Sequence, residues 1–91
     1  MVRIRFTTFL GERIGGISSV EVSATTVGSA LRALTDRYPE LARLVWTGED
    51  VINPMMAVFL NDQLVEAGQL GTSVKTGDEI DLLAAVSGGV A

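Results

Sequence analysis

Cysteine and histidine are both missing from this 91-residue chain. Their absence removes zinc and iron–sulfur ligation, a thiolate nucleophile, disulfides and every Ser-His or Cys-His catalytic arrangement in one step. Ser87 therefore has no imidazole to activate it. Basic residues are few, 7 Lys and Arg against 11 Asp and Glu, and they stand singly, without the clustered positive charge that neutralises nucleic-acid phosphates. The formal charge of −4 suits docking on a positive protein surface instead. No apolar run approaches the length of a membrane span, and Met1 to Phe6 alternates instead of forming the apolar core of a signal peptide. Neither nucleic acid nor membrane is thus an expected partner, and the cytoplasm is the expected compartment. Phosphate-cradling glycine loops are missing too, because Gly11 to Gly16 lacks the Gly-Lys-Ser/Thr ending and Gly68 with Gly71 stands alone. Glu49-Asp50, and Asp78-Glu79 with Asp81, read as solvated charge, since sequence neighbours point to opposite faces of a strand. No catalytic, metal-ligating or cofactor-binding residue is expected. Any chemistry performed on this chain must draw its catalytic groups from another protein.

What is present is apolar, at 47% of residues, enough for one small domain to bury a core. Val2, Ile4 and Phe6 alternate with Arg3, Arg5 and Thr7, which is the period of a half-buried strand. Turn residues Gly11 to Gly16 then lead to a second alternating segment around Val20 and Val22, predicting a hairpin. Thr25 or Thr26 can cap a helix whose apolar positions, Val27, Ala30, Leu31, Leu34 and Tyr38, recur every three or four residues. Pro39 should end it near Tyr38, or open a further short turn through Glu40–Leu44. Residues 45–54 read as a loop with Trp46 as a lid on the core. Met55 to Leu60 is a continuous apolar run, too short for a buried helix, and reads as a central strand. If Met56, Val58 and Leu60 enter the core, Met55, Ala57 and Phe59 lie on the open face, either covered by loops or forming a docking patch. Asn61-Asp62 turns the chain into Gln63-Leu64-Val65, and Ile80, Leu82 and Ala84 form the core face of a last strand. The order predicts an α+β domain, with one main helix across a mixed sheet of four to five strands, in a β-grasp arrangement. The helical crossover is expected to make the strand after it parallel to one before it.

The last seven residues differ from the rest. The strand-like run Ile80 to Ala84 empties into Ala85-Val86-Ser87-Gly88-Gly89-Val90-Ala91. Two adjacent glycines give a slim, flexible segment able to thread a cleft where any Cβ would clash. Residues 1–84 are accordingly expected to fold, with 85–91 as a flexible tail.

In Ala57 to Asp62, Lys75 to Leu83 and Ala85 to Gly89, with the Gly-Asp-Glu turn, the final strand and a Ser-Gly-Gly end, the chain resembles the ubiquitin-like sulfur-carrier family of MoaD and ThiS proteins. The resemblance covers essentially the whole chain in element order. It implies a carrier, not an enzyme, whose last glycine is adenylated by a ubiquitin-activating-like adenylyltransferase using ATP. Sulfur transfer then makes a thiocarboxylate that serves a sulfur-accepting synthase. Carried over by position, Gly89 holds the acyl group, while Gly88, Ser87 and Val86 thread the partner's channel. Two departures stand out: Val90-Ala91 follow the glycine pair, and Ala84-Ala85 replace the proline that relatives often carry there. The first locks the Gly89 carboxyl in a peptide bond, so a processing protease is expected to cut between Gly89 and Val90. A five-residue tail offers little grip, so the folded domain should dock as well, with Phe59 the leading anchor and Met55 beside it. A ubiquitin-like modifier joined to lysines through the same glycine, or a plain interaction module, are the competing readings.

Overall fold

A computed structural model describes residues 1–84; the tail residues 85–91 lie outside the described residues. Strand β1 (Val2–Phe6) buries Val2, Ile4 and Phe6 and exposes Arg3 and Arg5, as its alternation requires. It pairs antiparallel with β2 (Ser19–Val22), Val2 opposite Val22 and Ile4 opposite Val20. The connection is more than a glycine turn. It holds a helical turn, α1 (Thr8–Gly11), and a 3-10 turn over Glu12–Ile14, because Leu10 and Ile14, four apart, fall on one helical face and both are buried. Gly11 is required here, since a Cβ would be driven into the Ile17 carbonyl oxygen.

Helix α2 (Val27–Arg37) begins at Thr26, whose hydroxyl accepts from the Ser29 N–H at 3.0 Å while the Ser29 hydroxyl accepts from the Thr26 N–H at 3.0 Å. This reciprocal pair satisfies two backbone donors that a helix start leaves unpaired. Val27, Ala30, Leu31 and Leu34 form its fully buried stripe. Pro39 ends the helix and opens a 3-10 turn (Pro39–Leu41) continued by α3 (Ala42–Val45), as the second reading of that proline had it. The segment expected to be a loop instead contains a small hairpin, β3 (Trp46–Gly48) with β4 (Val51–Ile52). Strands of two and three residues are too short to show a period, but Val45 and Ile52 are buried on either side of the turn. Trp46 does act as a lid: it packs half-buried on the core and its indole N–H donates to Thr35 Oγ1 at 3.1 Å.

Strand β5 (Met56–Leu60) turns at Asn61 and Asp62, both at positive φ (49° and 72°), into β6 (Gln63–Val65). Two consecutive left-handed residues make the tight turn whose twist suits a hairpin, and Asn and Asp tolerate that conformation. Strand β7 (Glu79–Ala84) lies at the centre of a five-stranded sheet of order β2-β1-β7-β5-β6. It is parallel to β1 and antiparallel to β5. The parallel pairing expected of the strand after the helix is therefore made one hairpin later. β5 enters from the opposite direction, and β7, sent back by the β5–β6 hairpin and the following turns, runs alongside β1. The helix covers one face of this sheet, and Val2, Ile4, Val58, Ile80 and Leu82 meet it there.

Candidate functional site

The tail is rooted in the best-supported strand of the domain. β7 is hydrogen-bonded on both sides, Ile80 and Leu82 are fully buried, and its last residue, Ala84, is still in register with Met56. Its start is also tied down. Asp78, 9% exposed, accepts from the Lys75 N–H at 2.9 Å and from Asn61 Nδ2 at 3.1 Å, while Asn61 Oδ1 accepts from the Glu79 N–H at 3.0 Å. These bonds hold the Asp78 carboxyl below its usual range, the Lys75 N–H first and the Asn61 amide second. Gly77, at φ 95°, makes the turn that places Asp78 there. The effect is to fix the start of β7, the last described strand. Val86, Ser87, Gly88, Gly89 and Val90 lie outside the described residues.

Odd-numbered residues of β7 and β5 point away from the helix and build an open sheet face with two unlike halves. Across β2, β1 and the start of β7 it is charged. Arg3 lies between Glu21 at 3.6 Å and Glu79 at 3.9 Å, and Arg5 makes two bonds to Asp81, at 2.8 and 3.2 Å. The hydrogen bond to Asp81 and its charge, with Glu79 adding less, raise the Arg5 guanidinium above its usual value. A shallow cleft of about 490 Å³ opens at the end of this half, between Arg3, Arg5, Ser18, Ser19 and Leu83. Across the end of β7, β5 and β6 the face is apolar. Phe59 is half-buried and paired in register with Leu64 on one side and Asp81 on the other, and Ala57 is opposite Leu83. Leu64 is 56% exposed and Leu83 38%.

Phe59 thus occupies the open face and is absent from the core cluster, whereas Val58 beside it is 2% exposed. Met55, 48% exposed, stands in the turn before β5, its N–H donated to Asn53 Oδ1 at 2.9 Å. Ala57 separates the two along the strand, so they are not neighbours. The larger exposed groups beside Phe59 are Leu64 and Leu83. Leu83 is signalled in the sequence by its opposite parity to Ile80 and Leu82. Among the described residues no group of three or more acidic, His or Cys side chains is placed to hold a metal ion, and no helix is long and apolar enough to cross a membrane.

The model of the ThiS family matches residues 4–89. The chain belongs to the ThiS family. This match begins within β1, takes in every later strand of the sheet and runs through Gly88-Gly89. Among curated relatives, it is 28% identical to the sulfur carrier protein CysO of Mycobacterium tuberculosis over 91 residues, covering 97% of this chain and 98% of that one. Among solved structures, it matches a chain of the Amycolatopsis orientalis BexX/CysO complex at 32% identity and a TM-score of 0.81, covering 98% and 100%. It also matches the small archaeal modifier protein 1 of Methanosarcina acetivorans at 27% identity and a TM-score of 0.84, covering 97% and 95%. The fold is the β-grasp shared with these proteins.

Proposed function

We propose that this chain is a sulfur carrier whose working group is the carboxylate of Gly89, exposed once a protease hydrolyses the Gly89–Val90 bond. The observation that carries this reading is the family match, which extends past the domain and stops at Gly89, leaving Val90-Ala91 beyond it. A carboxylate is a poor electrophile because its charge is shared over two oxygens. An adenylating partner would let a Gly89 oxygen attack the α-phosphorus of ATP with loss of pyrophosphate. Sulfide (HS⁻) then attacks the acyl carbon, AMP leaves with the electron pair of its bond and a proton is lost, giving a thiocarboxylate that a synthase consumes. This chain holds no cofactor in that sequence; ATP belongs to the partner, and ATP-dependent activation would take place in the cytoplasm. The chain contributes a slim end, with no Cβ at Gly88 or Gly89, and a sheet face for the partner to hold, with Phe59, Leu64 and Leu83 as its apolar half. Likeness to a small archaeal modifier supports a second reading, in which the same glycine is joined to lysines of other proteins.

Intact mass spectrometry of the protein from its host separates these. The carrier reading expects a chain ending at Gly89, part of it with one carboxyl oxygen replaced by sulfur; the modifier reading expects isopeptide-linked species of higher mass. Recovery of only the full-length chain from cells using the pathway would sink both. In the chain ending at residue 89, Gly89→Val should fold normally and fail to be adenylated, whereas normal adenylation would show that channel width is not the constraint.

A further inference from the structure

The sheet order β2-β1-β7-β5-β6 leaves β2 and β6 with an unpaired side, and an unpaired side is a template for another strand. At β6 that side is short. The Asn61 N–H donates to the Glu79 carbonyl at 2.9 Å, which turns the backbone groups of Phe59 to β7 and those of Val58 and Leu60 to Val65 and Gln63. Leu64 is left as the outward residue of β6, and the Glu66 N–H beyond it is taken by Gln69 Oε1 at 3.1 Å. β2 offers the longer edge. The Phe6 N–H donates to the Ser18 carbonyl at 3.2 Å, and the same alternation turns Val20 and Val22 to Ile4 and Val2. Ser19 and Glu21 therefore point their N–H and C=O groups away from the sheet.

Among the described residues one bond reaches these outward groups: Arg37 Nη1 donates to the Glu21 carbonyl at 3.3 Å. The guanidinium is steadied by the Tyr38 ring, whose centre is 5.7 Å away, and by its place in the last turn of α2, where unpaired carbonyls favour a cation. The strand that this edge fits is another β2. Antiparallel addition centred on Val20 sets Ser19 of each copy opposite Glu21 of the other, both pairs exchanging N–H···O bonds in each direction, with Val20 opposite Val20. No carboxylate then faces a carboxylate, and the Glu21 side chain keeps its own Arg3 at 3.6 Å. What such pairing must break is the bond from Arg37.

We infer that Arg37 is a latch on the free edge of β2, holding it closed to a second copy of this chain. This holds whether or not the chain carries sulfur. Sedimentation of the full chain and of Arg37→Ala over a concentration series reads the latch. The wild type should stay monomeric to concentrations at least about tenfold above those at which Arg37→Ala dimerises, because a charged donor no longer has to leave Glu21 in each copy. Removing a positive charge from a chain of net −4 increases repulsion between copies, so tighter association could not come from charge. Amide exchange should show protection of the Ser19 and Glu21 N–H groups that rises with the variant's concentration. Ser19→Pro added to Arg37→Ala deletes an outward donor while leaving the β1–β2 bonds intact, and should restore the monomer. Should that proline lower the melting temperature, Ser19→Glu, which sets a carboxylate opposite Glu21 of the other copy, serves in its place. An Arg37→Ala chain as monomeric as wild type would overturn the inference, as would dimers that persist in the folded double variants.

Discussion

Replacing Leu64 and Leu83 together by alanine tests whether the apolar half of the open face holds the adenylating partner. Leu64 is 56% exposed and Leu83 38%, so together they leave uncovered about as much surface as one fully exposed leucine. Burying a leucine side chain contributes roughly 1.5–3 kcal/mol, so the double variant should lose about ten- to a hundredfold in affinity if the partner covers both. The contacts the two side chains already make within the sheet are partial, and the free domain should lose only about 1–3 kcal/mol of stability. Leu82 is the reverse case: it is fully buried, and truncating it to alanine should cost about 2–5 kcal/mol of folding without touching the docking face. Calorimetric titration with the host's adenylating enzyme, run beside denaturant melts, reads both quantities. Unchanged affinity in a folded double variant would refute the argument and move docking to the charged half or the helix side.

Three further outcomes follow from the same geometry. Phe59→Glu should weaken docking by more than ~1 kcal/mol and, by facing Asp81 with a second carboxylate, lower stability by less than about 1 kcal/mol; a core-sized loss in the melting curve would place Phe59 inside instead. Asp78 has its folded pKa below the ordinary 3.8, so its contribution is present above about pH 4 and is lost as pH falls through the depressed value. Asp78→Asn should accordingly flatten the acid limb of a stability-against-pH curve, and an unchanged limb would assign it to other carboxylates. Thr26→Ala should cost about 1 kcal/mol by removing the acceptor for the Ser29 N–H, measurable by urea denaturation, and no change would mean that water replaces the cap.

What could be read from the sequence divides along physical lines. Elements whose side chains alternate between water and core announce themselves: β1, with Val2, Ile4 and Phe6 against Arg3 and Arg5, and α2, with its stripe from Val27 to Leu34, both fall where periodicity puts them. The hairpin of Trp46–Gly48 with Val51–Ile52 is too short for any period, and its burial comes from Val45 and Ile52, which only tertiary contact defines. Strand direction was likewise out of reach of local pattern. A crossover constrains the strand that returns beside its origin, and nothing within residues 55–60 says that this strand is β7 and not β5. The docking face shows the same limit from the functional side. An apolar run of six cannot tell which of its residues has a neighbour, so the sequence puts Met55 on the same open face beside Phe59, while pairing sets Phe59 between Leu64 and Asp81 and leaves Met55 in a turn. Phe59 therefore joins the apolar half to the charged half at Asp81, whose other neighbour is Arg5. A partner gripping Phe59 must also accommodate the Arg5–Asp81 pair, and its affinity should fall with added salt if it contacts those charges directly, because exposed charges are screened over about 10 Å at 0.1 M ionic strength.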